Sequence, residues 1–249
     1  VSGLTYATYV AQIAEMAVVD PQDVNFQAIL PAMIDYAELR IYRDLDLMST
    51  STAIHGPLIK LDAGNRNLSF SMTLPDGSGS IVVTEQLNLI LPAGQTDPDG
   101  GSAARVTLLP TTKEFLDTVY GSNASANRAQ PRYFAPFNEN LFFVGPVPDQ
   151  TYYVEVVATY RPNSLSASNT VTFMSQYFPD LLIMASMIYI SAYQRNFGRQ
   201  SDDPQMAQSY ESQYQALLKG ASVEEMRKKF ESSGWSSQSP SPLATPSRG

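Results

Sequence analysis

The sequence predicts an α+β chain. Helical segments at both ends would form one discontinuous α-helical bundle around an inserted antiparallel β-sandwich or partly closed barrel, followed by an extended C-terminal tail. Three observations lead there. Apolar residues recur at spacings of three and four over residues 1–46 and again over 174–231. Between them, over 47–173, the period drops to two and turn residues break the chain about every ten residues. Residues 232–249 are rich in Ser and Pro and carry only Trp235 and Leu243 as large apolar groups, too little surface to fold alone.

In the first segment, Thr5 is placed to cap a helix whose stripe is Tyr6, Tyr9, Val10, Ile13, Met16 and Ala17. Asp20-Pro21 ends it. A second helix starts near Asn25 and carries Leu30, Ile34, Ala37, Ile41 and Leu45 on one face, with Glu38, Arg40 and Arg43 off it. Pro31 lacks a backbone donor, which predicts a kink or a fresh start, with Phe26–Leu30 as a separate turn. Seven acids against two bases give residues 1–46 a charge of −5 out of the chain's −8.

The middle segment opens with Leu68, Phe70, Met72 and Leu74 alternating with polar partners. A Pro75-Asp-Gly-Ser-Gly turn leads into the long alternation from Ile81 to Leu91. Glu85 interrupts its apolar face, which predicts a bulge or a solvated edge. After the Gln95–Gly101 loop come a short strand over Arg105–Leu109 and a helix capped by Thr111-x-x-Glu114 and ended by Gly121. Strands over Arg132–Phe137, Asn140–Val144 and Tyr152–Arg161 follow, the last with Val154, Val156 and Ala158 on one face. Beyond Phe173, Leu181–Tyr193 is apolar nearly all round and reads as a buried helix, too short to span a bilayer. A helix from Asp203-Pro204 carries Met206, Tyr210, Tyr214, Leu217 and Leu218, and Ser222-x-x-Glu225 predicts a cap for a last short helix ending near Phe230.

Composition narrows the function. Without cysteine the chain has no disulfides, thiolate zinc sites, iron–sulfur clusters or cysteine nucleophile. Charged residues are 16%, against about 25% in ordinary soluble domains, so much of the surface is expected to meet partner protein rather than water. The net charge of −8 opposes a reader of nucleic acid that works by neutralising phosphates. The opening Val1-Ser-Gly-Leu-Thr has no basic or apolar leader pattern, so no secretory signal is expected, and no membrane partner either. Tyrosines at helical spacing, among them Tyr36, Tyr189, Tyr210 and Tyr214, suit either core or subunit contact.

Catalytic signatures are lacking in the sequence. His55, the single histidine, sits in a loop and reads as a surface residue. Asp97-Pro-Asp99-Gly100 resembles the opening of a calcium loop but has Leu108 where the closing acid belongs, so no metal is expected. Glu85, Glu139 and Glu155 are the acids from which a sugar-cleaving or sugar-binding β domain would be built. Neither a catalytic residue nor a cofactor is expected. Arg227-Lys-Lys229 reads as a helix C-terminus complementing its dipole, with an acidic docking partner as the sharper alternative.

The order of elements resembles the bacteriophage head-to-tail adaptors, in particular the tail tubular protein A and gatekeeper group of short-tailed phages. Particular stretches carry the likeness: Leu30–Leu45, Leu109-Pro-Thr-Thr-Lys-Glu-Phe115, Pro131-Arg-Tyr-Phe134, Pro146-Val-Pro-Asp149 and Phe178–Ser186. It covers about residues 5–230 and leaves out the 95–104 loop and the tail. The resemblance implies a structural virion protein at the neck or tail, made and assembled in the host cytoplasm. It would form a dodecameric homo-oligomeric ring beneath the portal protein, with tail nozzle or tail fibre proteins below and double-stranded DNA passing through unread. On that basis Asp35, Glu38, Asp44 and Asp46 are expected to line an acidic channel, and Phe230, Trp235, Pro240, Pro242 and Leu243 to dock on the portal or a neighbouring copy. A collar or tail protein carrying fibres on its β domain is the alternative.

Overall fold

Residues 3–191 and 204–232 are described by a computed structural model, which is mixed α+β. Two compact units are formed, one from the residues up to Ser49 and from Ser164 onward, the other from Thr50–Asn163.

The helical unit begins at α1 (Tyr6–Ala17), capped by Thr5, whose hydroxyl accepts from the Thr8 amide in a capping box closed by Thr8. Helix α2 (Val24–Asp44) is capped by Asp23, which accepts from the Asn25 and Phe26 amides. It runs unbroken through Pro31, so the expected second start there is corrected. Phe26 and Leu30 before the proline and Met33 and Ile34 after it are all buried in one core, and that packing offsets the missing hydrogen bond. The short α4 (Phe173–Tyr177) precedes α5 (Pro179–Ser191), of which Leu181, Leu182, Ile183, Ala185, Ser186, Met187 and Ile190 are buried. Nearly all-round apolarity makes α5 the hub, packed on α1, α2, α4 and α6 (Pro204–Ser232). The expected short helix from Ser222 is part of α6 instead. Tyr214, Ala221 and Glu225 continue one buried face across that point, so no break in the burial pattern exists to stop the helix.

One backbone feature stands out at the end of α1. Val18 closes the helix in the left-handed conformation, φ 56° and ψ 51°, its amide reaching the Ala14 and Glu15 carbonyls. Glycine or asparagine usually takes that role, because a Cβ crowds the following carbonyl at a cost of about 1–2 kcal/mol.

The β unit is organised on two long antiparallel strands, β4 (Gly79–Leu91) and β9 (Tyr152–Pro162), paired from Gly79–Pro162 to Ile90–Tyr153. Register shifts between Ile81 and Val83 and between Thr84 and Gln86 place a bulge at Glu85, which is exposed. Strands β1 (Ser51–Ile54) and β2 (Lys60–Leu61) pair β9, and β5 (Ala104–Thr107) pairs the far end of β4. Gly79 is required where β4 meets β9, since a Cβ there would stand 2.3 Å from the Arg161 carbonyl oxygen. A second sheet runs β3 (Asn67–Ser69), β8 (Leu141–Gly145), β7 (Tyr133–Pro136), β6 (Leu109–Pro110). Its β6–β7 pair is parallel, a departure from the all-antiparallel expectation. Leu68, Phe142 and Val144 of this sheet join Leu87, Leu89, Val154 and Val156 of the other in a single apolar cluster. Helix α3 (Lys113–Val119) is capped by Thr112, one residue later than expected, because it is the Thr112 hydroxyl that accepts from the Phe115 amide.

Candidate assembly surfaces

The acids expected to share one surface have different surroundings. Asp35 is exposed and makes no ion pair among the described residues. Glu38 is a correction: its residue is only 2% exposed. Its Oε1 accepts from the Leu165 amide at 3.2 Å and the Thr172 hydroxyl at 3.3 Å, and the Ser164 side chain bonds it as well. Oε2 has no hydrogen-bond partner. Burial pushes its pKa up to about 7 against these bonds. The reason was present in the spacing: Ile34, Glu38, Ile41 and Leu45 step by four, three and four, so position 38 belongs to the buried stripe. Glu38 thus fastens the segment re-entering from β9 onto α2 and leaves the set of surface acids.

Asp44 and Asp46 have partners inside the helical unit. The Tyr214 hydroxyl donates to Asp44 at 2.7 Å, and Arg40 lies 3.7 Å from the same carboxylate. Arg40 also reaches Glu211 at 2.6 Å and stacks its guanidinium 4.3 Å from the centre of the Tyr214 ring. Burial opposes the charge on Arg40, but the Glu211 hydrogen bond outweighs it and its pKa rises. Asp46 pairs with Lys229. Buried Glu225 accepts from Lys228 at 2.7 Å and from the Met48 amide at 3.2 Å. Lys228 and Lys229 of the basic cluster therefore spend their charge on this chain's own acids.

Arg227 and Lys219 are exposed on α6 and make no ion pair among the described residues. Between them lie Val223 and Met226, the latter 59% exposed. Of the expected docking residues, Phe230 lies within α6, whereas Trp235, Pro240, Pro242 and Leu243 fall outside the described residues.

In the β unit the three acids weighed for sugar chemistry stand in separate settings. Glu155 is buried and bound by Arg105 Nε at 2.9 Å and Asn88 Nδ2 at 2.8 Å. Burial raises its pKa, but those bonds win and hold it below the usual range. Glu85 accepts from the Thr159 hydroxyl at the bulge, and Glu139 is exposed between β7 and β8. His55 is exposed, and Asp97 accepts from the Asp99 amide at 2.9 Å in a local turn. No group of three or more His, Asp or Glu among the described residues is arranged to hold a metal. Two clefts of about 330 and 300 Å³ share Ile54, Leu74 and Pro75. Phe115, Tyr120 and Tyr133 form an aromatic group with centroids 5.7 to 6.3 Å apart, Phe115 and Val119 exposed.

The geometry therefore offers partly apolar, charge-flanked surfaces, and the comparison with known families decides what kind of protein carries them. The model of the SU10 adaptor protein family matches residues 4–240. The chain belongs to the SU10 adaptor protein family. This adaptor is accordingly a structural bacteriophage protein of the virion neck or tail. The family match includes the 95–104 loop and continues past Phe230 through Trp235 to Pro240, stopping before Pro242 and Leu243. No curated protein matches the adaptor chain. No helix among its described residues is long and apolar enough to cross a membrane.

Proposed function

We propose that the chain forms a homo-oligomeric ring, dodecameric in the assembled particle, that joins the portal protein to the tail and encloses part of the DNA ejection channel. The family match over residues 4–240 carries this reading. Support comes from the charge deficit and from exposed apolar side chains on both units, which suit a surface covered only on assembly. The helical segments act as the bundle that packs between copies, and the β unit, a sandwich or partly closed barrel, meets nozzle or fibre proteins. Double-stranded DNA passes without sequence-specific contact, and assembly occurs in the host cytoplasm. Asp35 faces the channel, while Asp44 and Asp46, each with a cationic partner, weaken rather than dominate the field there. Phe230, Trp235, Pro240, Pro242 and Leu243 dock on the portal or on the next copy.

Electron microscopy of the purified chain mixed with portal rings tests this. A second ring coaxial with the portal is expected. Portal rings that stay bare, or that bind single chains on their outer wall, would refute it.

A further inference from the structure

We infer that two faces of the helical unit form a heterologous contact between adjacent copies: the acidic α1–α2 turn of one and the basic outward face of α6 of the next. The inference rests on the homo-oligomeric reading above and names the surfaces that would produce it.

The first face is the turn between α1 and α2. Val18 is 73% exposed and Val24 80% exposed, flanked by Glu15, Asp20 and Asp23. No lysine, arginine or histidine precedes Arg40 in the sequence, and none of these three acids makes an ion pair among the described residues. Asp20 and Asp23 accept backbone amides locally, which fixes the turn, and no cationic side chain among the described residues pairs with them.

Val18 supplies an independent pointer. A β-branched residue held in the left-handed conformation is strained, and an exposed side chain recovers nothing within its own chain. The amides of Val18 and Val19 meet the last carbonyls of α1 and so offset that strain at the backbone, which leaves the valine side chain projecting at the tip of the turn, free to serve as a contact.

The second face is on α6. Lys219, Val223, Met226 and Arg227 share one side of the helix at spacings of four, three and one. Tyr214, Ala221 and Glu225 occupy the buried side. Thus each face carries two exposed apolar residues and unpaired charge, negative on the turn and positive on α6. Complementary potentials of this kind set register and partner choice. Like faces would repel, so two copies cannot meet symmetrically through either one. The favoured arrangement is head-to-tail, and such contacts close into rings or propagate as filaments.

The absence of native cysteine makes a direct test available. The full chain carrying Val18→Cys and Val223→Cys together, treated with a bis-maleimide cross-linker alone and on portal rings, is expected to give a ladder of covalent species beyond the dimer. Either single variant should stop at dimer or below. Separately, Lys219→Glu with Arg227→Glu should weaken association in sedimentation velocity at least about tenfold. Adding Glu15→Lys and Asp20→Lys to the same chain should restore it, with helix content unchanged throughout. Oligomers that form normally, give no ladder and ignore the charge reversals would overturn this contact while leaving self-assembly intact. A chain that stays monomeric at every concentration and on portal rings alike would overturn both. A ladder confined to portal-bound samples supports the contact and places its formation on the portal.

Discussion

Glu38→Gln should remove a pH dependence that the wild-type chain owes to one buried carboxyl. In the folded chain its pKa stands at about 7, above the 4.5 of a free glutamate. The folded state therefore holds the proton more tightly than the unfolded state. The stability this confers is fully present below about pH 4.5 and is lost as the pH rises through about 7. The difference corresponds to about 3 kcal/mol as an upper estimate. The chain has no cysteine and a single histidine, exposed His55. Urea unfolding followed by far-ultraviolet circular dichroism, which reports chiefly the helices, reads the effect directly. Wild type should lose about 2–3 kcal/mol between about pH 5 and about pH 8. The glutamine variant should be nearly flat and more stable than wild type at the upper pH. It keeps an oxygen for the Leu165 amide and Thr172 hydroxyl and carries no charge to desolvate. A wild-type midpoint unchanged across this range, or a variant with the wild-type slope, would show that Glu38 does not carry the dependence.

Three further outcomes are expected. Val18→Gly should leave the isolated chain as stable or up to about 1 kcal/mol more stable in denaturant unfolding, while lowering the yield of oligomer in sedimentation, so the two readouts move in opposite directions. Glu225→Ala strips the Met48 amide and Lys228 of a buried acceptor and should cost about 1.5–3 kcal/mol in the same unfolding assay. Deletion of residues 233–249 should leave helix content and the unfolding midpoint within error of wild type, yet abolish pull-down by portal rings. Undiminished portal binding together with undiminished self-association of the truncated chain would remove the docking role from Trp235, Pro240, Pro242 and Leu243.

Local chemistry was the legible part of this sequence. Thr5 caps α1 by a side-chain bond to the Thr8 amide, and the misfit of Glu85 in an alternating strand does correspond to a bulge. The near-apolar run after Pro179 is the buried hub. Elsewhere tertiary packing overrode a local signal. Pro31 did not stop α2, because buried residues lie on both sides of it, and Ser222 did not start a new helix, because Ala221 and Glu225 keep the same face buried. The parallel β6–β7 pair and the joining of β3 to β8 bring together residues far apart in the chain, which no short-range period reports. Among the candidate site residues, charge type was readable but partner was not. Asp44 finds Tyr214, and Asp46 finds Lys229, across a long sequence separation. Glu38 was misassigned by its chemistry although its spacing placed it in the core.

Copies of this chain are expected to close into a ring on the portal. Averaged electron micrographs of portal rings incubated with the chain test this. A closed ring of additional density, coaxial with the portal and with its symmetry, is expected. Density for isolated copies scattered on the portal, or none at all, would contradict it.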